Sequence, residues 1–201
     1  MADELGTLKP GNLRRESTRP QHLTELAVAT YNVENLDPSD DTFAAHAAAI
    51  VHNLRSPDIV SLEEIQDDNG ATDDGTVGAG RTMATLIDAI EAAGGPRYDW
   101  RSIDPADKQD GGEPGGNIRQ AFLFNPERVS FTDRAGGDAT TPTGITKIRG
   151  KAALTLSPAV STRAPRPSPT AASRWPASSP SGAARSSSSP TTSPPRAATR
   201  A

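Results

Sequence analysis

The chain has 201 residues, with 25 Asp+Glu against 21 Lys+Arg, three His and no Cys, for a net charge of −4. The lack of cysteine excludes a disulfide framework and any thiolate metal site. No apolar run approaches membrane-spanning length, and the opening MADELGTLKPGNLRRESTRP has no apolar signal-peptide segment. The expectation as written is therefore no signal peptide, no membrane partner and a cytoplasmic location.

Composition changes near Pro158. Residues 1–158 hold all 25 acidic residues and 15 of the 21 basic ones, a net charge of −10. Residues 159–201 hold six Arg and no Asp, Glu or Lys, and 40 of these 43 residues are Ser, Ala, Pro, Arg or Thr. Such a segment cannot bury enough apolar surface to offset the entropy of ordering it, so a disordered tail is expected after a globular part.

In chain order, residues 1–25 are polar and punctuated by Pro, the composition of a flexible arm. ELAVATYNVENL follows as a buried strand, with Leu26, Val28 and Thr30 alternating on one face. Phe43, Ala47, Ile50, Val51 and Leu54 recur at helical spacing, with Ser39 as an N-cap candidate. SPDIVSLEEI reads as a second strand. RTMATLIDAIEAAGG reads as a second helix, with an apolar stripe at Met83, Leu86, Ile87 and Ile90 and a Gly94-Gly95 C-cap. Strands are then expected at YDWRSID, IRQAFLFN and RVSFTD. Strand–helix–strand–helix followed by strands specifies a layered α/β domain over residues 26–158.

Three polar clusters fall at strand ends: Asn32 to Asn35, Glu63-Glu64, and Asn117 with Arg119 behind the glycine-rich GGEPGG. A strand-end carboxylate beside an amide suits a hard, oxygen-preferring cation such as Mg²⁺, which needs one or two carboxylates and leaves its other positions to water and substrate. Arg119 adds a planar cationic fork fit for a phosphate. Together these residue types suggest metal-assisted phosphoester hydrolysis. Taken alone, these residue types fit a solvated strand end and a surface ion pair more readily. DDNGATDDG lacks EF-hand spacing and reads as a solvated acidic loop rather than a Ca²⁺ site. GGEPGG lacks the Gly-Lys-Ser/Thr ending of a phosphate-binding loop and reads as a flexible rim. His46 and His52 are six residues apart, which is not metal-ligand spacing, and His22 lies in the arm.

ATYNVENL, PDIVSLEEIQDDNG and DGGEPGGNIRQAFLFNPERV resemble, in order and spacing, consecutive motifs of the endonuclease/exonuclease/phosphatase superfamily. The likeness is to its bacterial extracellular-nuclease-like branch, related to pancreatic deoxyribonuclease. It implies the N-terminal half of a two-sheet α/β sandwich flanked by helices, an enzyme of Mg²⁺- (or other divalent-cation-) dependent phosphodiester hydrolysis, and a nucleic acid substrate. Glu64 would be the metal carboxylate and Asn32 the amide beside it, while Arg119, with Asn117, would contact the scissile phosphate. The Gln usual before the metal Glu is Glu63 here. A phosphatase- or sphingomyelinase-type phosphoesterase of the same superfamily is the alternative, and a non-enzymatic nucleic-acid-binding fragment using the tail arginines is a further one. The oligomeric state has no sequence signature.

The resemblance also implies a downstream His base, an Asp that orients it and an Asp-x-Asn pair. Where a β-branched run ending Ala-Asn-His is due, the chain has SSSSPTTSPP. Read one base earlier, TCN serine codons become NTC (Phe, Leu, Ile or Val), CCN becomes a small residue, and ACN becomes Asn, His, Asp or Tyr. Ser186–Thr199 can then be recoded as VFVIANHFASKGGD. The single Trp codon at Trp175 is forced to Leu, Val or Met, where the resemblance calls for Leu. The expectation is a one-base slip near Ser157–Ala159, a catalytic half replaced by out-of-frame residues, an inactive chain, and a bare inner sheet face.

Overall fold

The computed structural model describes residue 11 and residues 14–160. The expected tail lies, from residue 161 on, outside the described residues, as do most of the first thirteen. The order is β1 (Val28–Leu36), α1 (Phe43–Ala48), β2 (Ile59–Ile65), α2 (Gly80–Ala92), β3 (Asp99–Ser102), β4 (Arg119–Phe124), β5 (Ile145–Ile148) and β6 (Lys151–Leu154). The fold is α/β. One sheet runs β1-β2-β4-β3, with β1 and β2 parallel and the other pairs antiparallel, and β5-β6 forms a separate hairpin.

The core lies between the four-stranded sheet and the two helices. Val33 and Leu36 of β1, Val60, Leu62 and Ile65 of β2, and Ala121 and Leu123 of β4 meet Phe43, Ala47, Ile50, Met83, Leu86, Ile87 and Ile90. The α1 stripe continues through a wider π-helical turn, Ala49–Asn53, so Ile50 stays buried while Leu54 N–H reaches back to the Ala49 carbonyl. Helix α2 ends as its sequence demands. Gly94 takes φ 87°, its N–H bonds the Glu91 carbonyl, and the Gly95 N–H bonds that of Ile90, a Schellman closure.

Four details depart from the expectations. In β1 the face carrying Leu26, Val28 and Thr30 is the exposed one, with Val28 63% accessible, because the helices pack on the opposite face through Val33 and Leu36. Ser39 is not a cap: its N–H bonds Asp37 in a tight turn, and Thr42 holds the N-cap position without a side-chain bond. RVSFTD is loop, because its side chains are engaged elsewhere. Arg128 binds Asp58, Phe131 stacks on Phe124, and Asp133 binds Arg101. The β5-β6 hairpin was not anticipated. Its turn, Arg149-Gly150, has φ of 50° and 78°, the two positive values of a type I′ turn. Its strands are almost wholly exposed and so lack the alternation that marks a half-buried strand.

Residues 14–25 are tied to this domain. Thr18 N–H bonds the Asn53 carbonyl, and Asn53 Nδ2 bonds that of Glu16. A buried carboxylate, Asp58, gathers Gln21, the Ala27 N–H and the Arg128 guanidinium, whose Nε lies 2.7 Å from Oδ1. Arg128 also bonds the carbonyls of Leu23 and Glu25, so one ion pair fastens the segment preceding β1 to the loop after β4.

Two outcomes follow. Leu86→Ala empties a fully buried position on α2 and lowers unfolding free energy by about 2–5 kcal/mol in urea titration. The Arg128 hydrogen bond holds the Asp58 carboxyl below the usual carboxylate range. Its stabilisation is therefore fully present above an unfolded pKa of about 3.9 and lost as pH falls through the lower folded value. Asp58→Asn should lower the melting temperature at pH 7 and flatten its fall in that acid window.

Candidate functional site

The parallel ladder of β1 and β2 runs in register from Val28↔Ile59 to Asn32↔Glu63, then slips before Leu36↔Ile65. β2 slips against β4 over the same stretch, between Leu62 and Ile65. In the slipped segments Glu34, Asn35 and Glu64 take positive φ of 56°, 62° and 63°. Bulges of this kind kink a strand and re-aim its side chains. Here two successive carboxylates, Glu63 and Glu64, both reach the same cleft. The bulged ends are cross-tied, since Gln66 Nε2 bonds Asn35 Oδ1 at 3.1 Å and Gln66 N–H bonds the Leu36 carbonyl at 3.0 Å.

The cleft has a volume of about 860 Å³ and is lined by Asn32, Glu63, Glu64, Arg101 and Arg119 among others, residues 157–160 included. Residues distant in sequence thus meet on the sheet face away from the helices. Within it, Thr30 Oγ1 donates to Glu63 Oε1 at 2.6 Å, while among the described residues no donor reaches the Glu64 carboxylate. Asn32 Oδ1 accepts the Glu34 N–H at 2.8 Å, which fixes the amide against its own strand.

Two arginines form the cationic wall. Arg119 is nearly inaccessible, its side chain 2% exposed. One terminal nitrogen bonds Asp104 at 2.5 Å and the other the Asn117 carbonyl at 3.0 Å, whereas Nε is buried with no partner among the described residues. Burial lowers its pKa, opposed chiefly by Asp104. Arg101 is held by Asp133 and Asp99 and lies 5.4 and 5.3 Å from the ring centres of Phe124 and Phe131. The Asp133 bond raises its pKa, so it stays a fixed charge.

Of the residues predicted from sequence, the cleft unites Asn32, Glu64 and Arg119. Asn117 stands behind its wall. It is 3% exposed, donates to the Thr76 carbonyl and Asp67, and accepts the Lys108 N–H. It anchors the glycine-rich loop and presents only its carbonyl to Arg119. That loop is packed rather than a free rim: a side chain on Gly115 would collide with the Ala71 carbonyl oxygen. Glu113 within it has a buried carboxyl oxygen, and burial, then Asp37, Asp40 and Asp67, raise its pKa. The carboxylates of the acidic loop DDNGATDDG are taken up by protein donors within the loop and beyond it, Asp73 pairing with Lys108. Asp67 and Asp74 bind Asn69 and Thr76, and Asp68 caps the first N–H groups of α2 at Arg81 and Thr82. Sequence reasoning missed Arg101 and Asp104. The available signal was YDWRSID itself, a strand ending in a carboxylate like that of β2.

Among the described residues no three Asp, Glu or His side chains converge as a ready-made metal cage. The donors at the β1–β2 end are all oxygens, one free carboxylate with an amide and a second carboxylate beside it. That set fits Mg²⁺, which is held by few protein ligands, better than a structural Zn²⁺ or a multi-carboxylate Ca²⁺ site. The three histidines lie elsewhere. His46 packs edge-on against Tyr31, with Nδ1 3.0 Å from the Tyr31 hydroxyl, and burial lowers its pKa.

No family model and no curated protein matches the chain. Among solved structures it is similar to an endonuclease/exonuclease/phosphatase from Beutenbergia cavernae DSM 12333, at 23% identity and a TM-score of 0.33. That match covers 54% of this chain and 27% of the other.

Proposed function

We propose that this chain carries the metal- and phosphate-binding part of a divalent-cation-dependent phosphodiester hydrolase, a nuclease of the endonuclease/exonuclease/phosphatase superfamily, extracellular-nuclease-like branch. The observation that carries the reading is that Asn32, Glu64 and Arg119, brought by three strands, line one cleft. Glu64, which no donor among the described residues reaches, supplies the charge for a hard cation, with Asn32 beside it. Thr30 holds Glu63 alongside as the neighbouring carboxylate, a division of labour in keeping with the Gln that usually stands there. Mg²⁺ bound there would supply Lewis-acid neutralisation of a phosphoryl oxygen. Arg119 offers a rigid, buried guanidinium to the same phosphate, a preorganised charge that needs no reorganisation as negative charge develops.

Among the described residues the cleft holds no histidine to act as the general base that the resemblance implies. The tail contains none either. The reading therefore includes a second part: residues from about 159 on are the out-of-frame translation of the segment that supplies the His and its Asp. The chain as it stands then binds but scarcely turns over. Val28, 63% exposed, and Phe122, 46% exposed, lie on the sheet face away from the helices, in keeping with a second layer supplied by that downstream segment.

The test is plasmid nicking under Mg²⁺. The 201-residue chain should give no Mg²⁺-dependent nicking. The product of a gene with one base restored near codon 158 should nick, and Glu64→Ala in that background should reduce the rate by at least about 100-fold, the scale set by loss of a principal electrostatic contributor. Nicking by the 201-residue chain that Glu64→Ala abolishes would overturn the inactive reading. A restored protein that folds but cleaves only small or lipid phosphoesters would transfer the assignment to a phosphatase or sphingomyelinase.

A further inference from the structure

Arg119 and Asp104 form an unequal pair. The arginine side chain is 2% exposed and cannot leave the cleft wall, whereas the aspartate side chain is 56% exposed on the loop after β3. The arginine is also under-satisfied. One terminal nitrogen bonds Asp104 and the other the Asn117 carbonyl, and among the described residues the buried Nε has no acceptor. A buried guanidinium needs a counter-charge, and removal of its partner leaves an uncompensated ion. Among the described residues Asp104 is the one carboxylate in contact with it.

A phosphoryl group has the same sign as Asp104, more acceptor oxygens, and tetrahedral reach across both edges of a guanidinium. From this geometry we infer that Asp104 is a resident anion: it holds Arg119 charged and oriented in the absence of substrate, and a phosphoryl group displaces it from the guanidinium. Asp104 is thus a positioning residue and the built-in competitor of the phosphate site. The exchange swaps one anion for another at a fixed cation, so the buried charge is never left unpaired. The exposed member of the pair is the one that moves. The inference rests on the reading of Arg119 as a phosphate contact and concerns how that contact is kept ready.

The test uses the full 201-residue chain, without divalent metal, and inorganic phosphate as the probe, with KCl at matched ionic strength as the control. Melting temperature is followed against phosphate concentration for the parent, Asp104→Asn, Asp104→Glu, and the double variant Asp104→Asn with Arg119→Gln. Asp104→Asn should melt below the parent in KCl, recover in phosphate, and bind phosphate about tenfold more tightly than the parent, the scale of one charge-assisted bond no longer contested. Asp104→Glu, which keeps the competing charge, should bind phosphate like the parent. The double variant should show no phosphate-specific recovery.

If Asp104→Asn does not fold in KCl, refolding in phosphate and not in chloride supports the inference, and failure in both overturns it. Equal or weaker phosphate binding by Asp104→Asn, or recovery that survives Arg119→Gln, also overturns it. Because no metal is present, such a failure leaves the proposed cation role of Glu64 untouched, and loss of that role would not alter these titrations.

Discussion

At Asn32 and Glu63 the parallel ladder stops running in register, and the residues beyond turn through positive φ: Glu34 at 56°, Asn35 at 62° and Glu64 at 63°. A non-glycine residue in this region costs of order 1–3 kcal/mol and persists only where its surroundings hold it there. Here they do. Leu36 and Ile65, the next residues in each strand to point at the helices, are fully buried, and Gln66 bonds both Asn35 and the Leu36 backbone. Strict alternation would send Glu63 and Glu64 to opposite faces of the sheet. The bulge lets both line the cleft while Leu62 and Ile65 remain in the core. The site is therefore a consequence of how one strand pair ends.

Around that point the fold supplies support in layers. Asp68 caps α2, and Asn117 pins the acidic loop to the glycine-rich one. Asp104 and the Asn117 carbonyl hold the Arg119 guanidinium. Farther away, the buried Asp58–Arg128 pair fastens the segment before β1 to the loop after β4, which fixes where β1 begins. Asp58, Asp68 and Asp104 each face a donor of their own, whereas among the described residues none reaches Glu64. Other carboxylates share that freedom, and what sets Glu64 apart is its place beside Asn32 at the bulged end of β1 and β2.

Much of this was legible in the sequence. The periodicity of Phe43, Ala47 and Ile50, and of Met83, Leu86, Ile87 and Ile90, gave both helices, because one face of each is buried along its length. Strand-end position marked the clusters Asn32 to Asn35, Glu63-Glu64 and Asn117 with Arg119, and the family resemblance picked Asn32, Glu64 and Arg119 from among them. The facing of β1 could not be read, since Val28 and Val33 are both apolar and only the helices decide which side is covered. The β5-β6 hairpin was missed because exposed strands carry no alternation. Asn117 stood beside Arg119 in the sequence and looked like a phosphate ligand, but its amide is consumed by Thr76 and Asp67, contacts made 41 and 50 residues away. Asp104 escaped notice for the complementary reason. YDWRSID marks it as a carboxylate at a strand end, but its pairing with Arg119 of the neighbouring β4 is not encoded locally.

The central claim is that the Glu64 carboxylate is free in order to hold a divalent cation. The direct measurement is Mn²⁺ binding to the 201-residue chain, by electron paramagnetic resonance of the free ion, for the parent, Glu64→Gln and Glu63→Gln. The prediction is one Mn²⁺ site in the parent, displaced by excess Mg²⁺, lost in Glu64→Gln and retained, weakened, in Glu63→Gln. Absence of a saturable site in the folded parent, or a site indifferent to Glu64→Gln, would contradict it.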